Sequence, residues 1–186
     1  MADLKITELA ALTTVLGEDL LAIVDDPTGT ASTKKIRTDD FQSTWHVGAR
    51  VYNNADISVA NASPVALTFN SERFDTDTIH STGTNTGRLT CNTAGKYLII
   101  GTVQYDANAT GERMTSIKLG GATFLGRVRS IANTIGGSPT VHNIAIIYEL
   151  AATNYVELFV YQTSGDALDV KNEQYSSPEF MMHRIG

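Results

Sequence analysis

Residues 87–105, Gly-Arg-Leu-Thr-Cys-Asn-Thr-Ala-Gly-Lys-Tyr-Leu-Ile-Ile-Gly-Thr-Val-Gln-Tyr, read as one β-strand, a tight turn and a second β-strand. Leu89 and Cys91 are two apart, so they share one face of the first strand. Asn92 to Gly95 supply turn chemistry, and Gly95 is the natural place for a positive φ. The second strand sets Tyr97, Ile99, Val103 and Tyr105 on one face and Leu98 and Ile100 on the other. Because both faces are apolar at its start, both are expected to be covered there.

The same residues resemble the central motif of C1q-like domains, in which Gly-Lys-Phe-Thr-Cys is followed by a short turn and Gly-x-Tyr. Here the matching residues are Gly87-Arg88-Leu89-Thr90-Cys91 and Gly95-Lys96-Tyr97. Leu89 replaces the usual Phe, and Ile99 and Gly101 replace later aromatics. The resemblance implies ten short strands in a jelly roll of the tumour-necrosis-factor type, associated as a compact trimer. Ala49-Arg50-Val51-Tyr52-Asn53 resembles the opening strand, and Leu67-Thr68-Phe69-Asn70 the second core strand. Phe69 and Asp75 keep the family's Phe-to-Asp/Asn spacing, and residues 77–86 read as a loop. Residues 154–161 resemble the penultimate strand and residues 180–185 the closing one. The resemblance thus spans residues 49–186, the size of one ordinary domain.

The chain has 186 residues, enough for one substantial domain and an appendage. Cys91 is its only cysteine, which rules out an intramolecular disulfide framework. Placed within the strand motif, it reads as a buried structural thiol rather than a nucleophile. A net charge of −6 argues against a dedicated nucleic-acid binder, and no apolar run is long enough for membrane insertion. Asp3, Lys5, Glu8, Glu18 and Asp19 interrupt the early apolar positions, so the N-terminus does not read as a signal peptide. There is no Gly-x-y collagen repeat either. Both features point away from a secreted animal C1q relative.

Residues 1–48 read as a separate device. Ile6, Leu9 and Leu12 are spaced by three, and Leu16, Leu20, Leu21, Ile23 and Val24 follow. Residues 20–24 read as a strand, Asp26-Pro27-Thr28-Gly29-Thr30 as a turn, and residues 33–37 as the returning arm of a hairpin. Thr38-Asp39-Asp40-Phe41 has the chemistry to cap a short helix through Trp45. A lone hairpin is marginal in water, so its leucines are best explained by packing against other chains. Leu4-Lys5-Ile6-Thr7-Glu8-Leu9, the run from Asp19 to Pro27, and Thr33-Lys34-Lys35-Ile36 resemble an N-terminal module of tailed-phage and prophage virion proteins. That resemblance implies attachment to capsid or tail proteins, with Ile6, Leu9, Leu12, Leu20 and Ile23 as the anchoring candidates.

Nothing in the sequence has catalytic spacing. His46, His80, His142 and His183 are dispersed, and there is no His-Glu-x-x-His, nucleophile elbow or phosphate-binding loop. Asp75-Thr76-Asp77 resembles a fragment of a calcium loop but lacks the glycine and distal glutamate, so a solvated loop with Asx turns is expected. Gly120-Gly121 reads as a hairpin turn and Gly136-Gly137-Ser138-Pro139 as a surface loop. Arg113, Lys118, Arg127 and Arg129 suggest a basic strip for an anionic glycan, but Asp106, Glu112 and the net negative charge dilute that idea, so a solvated sheet face is the expected reading. The stronger signal is aromatic. In residues 155–161, Val156, Leu158 and Val160 fall on one face and Tyr155, Phe159 and Tyr161 on the other. A monomeric sandwich needs only its inner face apolar, so these three aromatics are the candidates for a homotrimer interface.

The sequence therefore implies an all-β protein: a C1q/TNF-like jelly-roll head behind a small N-terminal β-hairpin anchor. The expected function is a non-enzymatic virion component without cofactor or metal: a short homotrimeric fibre, spike or decoration displaying its heads, with a host-surface glycan or receptor as a further partner. The alternative is a soluble C1q/TNF-like protein that binds a carbohydrate or receptor outside a virion.

Overall fold

In a computed structural model the chain divides into two compact units, Met1–Thr44 and Trp45–Gly186. The structure describes residues 20–25, 32–37, 46–135, 137–173 and 178–186. In the first unit, β1 (Leu20–Asp25) pairs antiparallel with β2 (Ser32–Arg37), from Leu20 opposite Arg37 to Asp25 opposite Ser32. These are the two arms expected at residues 20–24 and 33–37, while the turn expected between them lies outside the described residues. The short helix expected over residues 38–45 lies outside the described residues, as do Ile6, Leu9 and Leu12. Leu20 and Ile23 lie in β1.

The second unit is built from twelve strands among the described residues, with no helix. They are β3 (Gly48–Tyr52), β4 (Ile57–Val59), β5 (Val65–Ala66), β6 (Ser71–Asp75), β7 (Arg88–Thr90) and β8 (Gly95–Tyr105). Then follow β9 (Glu112–Leu119), β10 (Thr123–Ile131), β11 (Thr140–Leu150), β12 (Tyr155–Gln162), β13 (Leu168–Val170) and β14 (Glu179–Arg184). One sheet runs β10-β9-β12-β5, with β7 also paired to β12; the other runs β4-β13-β8-β14-β3-β6, with β11 on the free side of β8.

Period-2 alternation explains how the sheets close on each other. Tyr97, Ile99, Val103 and Tyr105 of β8 are fully buried, as are Val156, Leu158 and Val160 of β12, Phe180 and Met182 of β14, and Ala49 and Val51 of β3. These side chains meet between the sheets in one continuous core. Gly101 marks the closest approach: a Cβ there would lie 2.5 Å from a Leu158 methyl on the opposite sheet. The core motif is therefore placed as expected, with Leu89 and Cys91 both buried. Gly95 has the expected positive φ, 157°, and it also answers a need for space, since a Cβ would come within 2.5 Å of Arg184 Nε and of the Gly186 carbonyl.

Five expectations need correction. The described residues of the head hold twelve strands rather than the ten that the resemblance implies. Leu67 to Asn70 is not a strand but the crossing between sheets: Leu67 N–H bonds to Leu158 O, Phe69 N–H to Thr86 O, and pairing resumes in β6. Leu67 and Phe69 are nonetheless wholly buried, so their apolar pattern reports burial rather than pairing. The strand over residues 155–162 is third from the end, because short β13 intervenes. Leu98 and Ile100, on the outward face of β8, are only half-buried within one chain. Arg113 does not share a surface strip with Lys118, because it is fully buried.

Candidate functional site

The outward faces of the two sheets differ in kind. On the larger sheet, registration places Ile147 of β11 beside Leu98 of β8, and Ala145 beside Ile100, which in turn lies beside Met181 of β14. Ile147 is 63 % exposed, while Leu98, Ile100 and Met181 are half-buried. This apolar band crosses three strands on the face turned away from the core. An antiparallel sheet normally presents polar residues there. Beside it, Arg50 and Arg73 both donate to the Glu179 carboxylate, at 2.5 and 2.6 Å, and the Arg73 guanidinium lies 4.6 Å from the Tyr52 ring centroid.

The outward face of the smaller sheet carries the aromatics nominated from sequence. Tyr155, Phe159 and Tyr161 are half-buried on β12, alternating with buried Val156, Leu158, Val160 and Gln162. Cations of the same chain cover two of them. The Arg88 guanidinium stands 4.1 Å from the Tyr155 ring centroid, and Lys118 Nζ stands 3.9 Å from that of Phe159. Lys118 also reaches Phe124 at 4.8 Å, and Arg127 reaches the same ring at 5.7 Å. Of the sequence-derived basic strip, Arg129 is held by Glu112 at 2.5 Å, while Lys118 and Arg127 remain on the aromatic surface. The signal that separates Arg113 from them is parity: positions 113 and 118 are an odd number apart, so one strand points them to opposite faces.

Inside, Arg113 belongs to a polar network that the sequence did not reveal. Its guanidinium donates to the carbonyls of Asn108, Thr110 and Glu112 at 3.0–3.1 Å, while Nε is buried without a partner. His142 of β11 meets Thr115 Oγ1 of β9 through Nδ1 at 3.0 Å and Ser130 Oγ of β10 through Nε2 at 2.8 Å. Tyr105 donates its hydroxyl to Met114 O at 2.5 Å and stands edge-on to the His142 ring. Burial, followed by the charge of Arg113, holds the His142 pKa below its ordinary value. Burial pushes Tyr105 up to about 12. The network ties the adjoining edges of the two sheets together.

The remaining chemical candidates have structural roles. Asp75 accepts backbone N–H groups of Asp77, Ile79 and His80 at 2.8–3.1 Å, which makes it the organiser of the following loop. Buried His80 contacts Glu72 through Nδ1 and the Thr86 carbonyl through Nε2. Burial raises the pKa of Cys91, whose thiol donates to Thr93 O, leaving it a poor nucleophile. Gly120 and Gly121 have φ of 59° and 72° in the β9–β10 hairpin turn. Among the described residues no group of three or more His, Cys, Asp or Glu is arranged to hold a metal. A depression of about 630 Å³ beside the end of β11 is lined by Ala94, Gly95, Tyr148, Glu149, Leu150, Ala151 and Asn154, with one carboxylate and no acid–base pair. No helix among the described residues is long and apolar enough to cross a membrane.

Solved structures share this arrangement. The Eiger TNF of S. frugiperda superposes with a TM-score of 0.56 at 16% identity, covering 76% of this chain and 93% of that one. The globular domain of zebrafish complement 1qA protein gives 0.53 at 16% identity, covering 75% and 98%. Murine APRIL gives 0.56 at 9% identity, covering 75% and 99%. No protein-family model matches the sequence, and a search of curated proteins finds no relative. The class of fold is therefore a jelly roll of the tumour-necrosis-factor and C1q type. At these identities the likeness defines the fold alone.

Proposed function

We propose that the protein is a non-enzymatic, homotrimeric appendage of a tailed-phage particle. The head self-associates through the outward face of the larger sheet, and the Met1–Thr44 unit attaches the trimer to capsid or tail proteins. The observation carrying this reading is the apolar band of Leu98, Ile100, Ala145, Ile147 and Met181, which is only partly buried in one chain. Copies of the same chain are its simplest cover, because a closed rotational assembly buries the band on every protomer at once. The C1q-like motif supports three as the copy number. The phage reading is supported by the resemblance of residues 4–36 to virion modules and by the separate hairpin unit ahead of the head.

Deletion of residues 1–44 tests the division of labour. The head has its own core, so the shortened chain is expected to fold and trimerise but to be missing from purified particles. Its normal incorporation into particles would overturn the attachment role. A shortened chain that folds as a monomer would overturn self-association through the head.

A further inference from the structure

We propose that the outward face of the smaller sheet binds an acidic polysaccharide, with Phe124 and Phe159 as stacking surfaces and Lys118 and Arg127 as the charged contacts. This goes beyond the self-association and particle attachment proposed above.

The face is a mixed aromatic and cationic platform. Cross-strand registration puts Phe124 of β10 beside Lys118 of β9, and Lys118 beside Glu157 of β12. In the next row of the same face, Arg127, Ser116 and Phe159 stand side by side across the same three strands. Phe124 is 52 % exposed, and it has Lys118 and Arg127 within 6 Å of its ring centroid. Phe124 and Phe159 share the Lys118 ammonium, so the ring is part of a joint aromatic patch with a charged partner rather than a lone exposed side chain.

The charges on this face are not all neutralised. Arg88 is paired with Glu157 and Arg129 with Glu112, whereas Lys118 and Arg127 contact only rings among the described residues. Two cations outside any ion pair among the described residues thus stand together on a chain whose net charge is −6. Ser116, directly between Arg127 and Phe159, is wholly buried, and its Oγ has no hydrogen-bond partner. Having no exposed surface, this hydroxyl offers nothing to a ligand, so the platform rests on its two rings and two cations.

These features fit a sugar acid. The apolar face of a pyranose ring stacks on an aromatic ring, and its carboxylate pairs with an adjacent ammonium or guanidinium. Single-stranded nucleic acid uses related stacking, but it needs a continuous track of cations, and two on an acidic protein do not provide one. The apolar band on the opposite sheet lacks such a pair, which separates a binding face from a self-association face.

Affinity electrophoresis of the full chain in gels containing alginate, a polyuronate, or neutral dextran tests the proposal. Retardation by alginate but not dextran is expected. Arg127→Gln and Phe124→Ala, both at exposed positions, should each weaken it about tenfold, with unchanged circular dichroism and thermal midpoint. Arg129→Gln, whose guanidinium is already held by Glu112, should change it less than twofold. Equal retardation by both polymers, full alginate binding by both Arg127→Gln and Phe124→Ala, or tighter binding of a single-stranded oligonucleotide than of alginate would each overturn the proposal. Particle incorporation is scored separately, so failure here leaves the attachment role standing, and loss of that role leaves alginate binding intact.

Discussion

His142 sits where β9, β10 and β11 meet, with a hydroxyl at each ring nitrogen and the Arg113 guanidinium nearby. A neutral imidazole satisfies both contacts by donating through one nitrogen and accepting through the other. An imidazolium adds a second positive charge beside a buried guanidinium held only by carbonyls. The folded-state pKa is thus depressed, so the unfolded chain binds the proton more readily. The contribution of His142 to stability is therefore complete above its ordinary value near 6.5 and is lost as the pH falls from there through the depressed folded-state value. The groups facing it are Arg113 and Thr115 on β9, Ser130 on β10 and Tyr105 on β8, none of them a carboxylate. Denaturant titrations between pH 7.5 and 5 should show stability falling with pH, and His142→Phe should flatten that slope. An unchanged slope would remove His142 as its source. At neutral pH, His142→Ala should destabilise by about 2 kcal/mol, because it leaves buried hydroxyls short of partners.

At the scale of elements, alternating strands were legible and the features that interrupt alternation were not. The β7–β8 motif, the inward and outward faces of β12 and the β1–β2 hairpin follow from period-2 patterning and turn residues. Leu67 to Asn70 shows where that signal stops: a segment crossing between sheets buries alternate residues as a strand does, so pattern alone cannot separate them. The polar network was hidden for a related reason. Arg113, His142 and Ser130 lie on three strands, and only pairing register brings them together. Gly111, just before β9, illustrates a constraint that register creates. Its φ is 75°, and a Cβ there would fall 1.7 Å from the Thr163 carbonyl oxygen. Gly111→Ala should therefore cost at least about 2 kcal/mol, combining backbone strain with displacement of the loop after β12. Gly120→Ala is the comparison: it also has positive φ, but open space surrounds the added methyl, so its cost should be about 1 kcal/mol. Thermal melts of the two variants decide this, and equal losses would show that the contact with Thr163 relaxes freely.

For the whole molecule, the question is which outward face is buried between copies. Sequence alone favoured the face of Tyr155, Phe159 and Tyr161, because three aromatics opposite a buried row demand cover. The structure supplies some of that cover from Arg88 and Lys118 of the same chain. The apolar band of the larger sheet has no equivalent cover at Ile147, which stands 63 % exposed on edge strand β11. Ile147→Glu should leave the isolated head folded, since the side chain projects away from the core. At an apolar interface the same carboxylate would be buried without a partner, a penalty of several kcal/mol repeated at each contact of a closed ring. Sedimentation equilibrium should therefore find the unaltered protein at about three times its 20.0 kDa chain mass and Ile147→Glu as a folded monomer. Phe159→Asp should remain trimeric, because its ring lies on the face proposed to meet the polysaccharide. The opposite pairing, a trimeric Ile147→Glu and a monomeric Phe159→Asp, would move the interface to β12 and bury the proposed binding platform within the assembly.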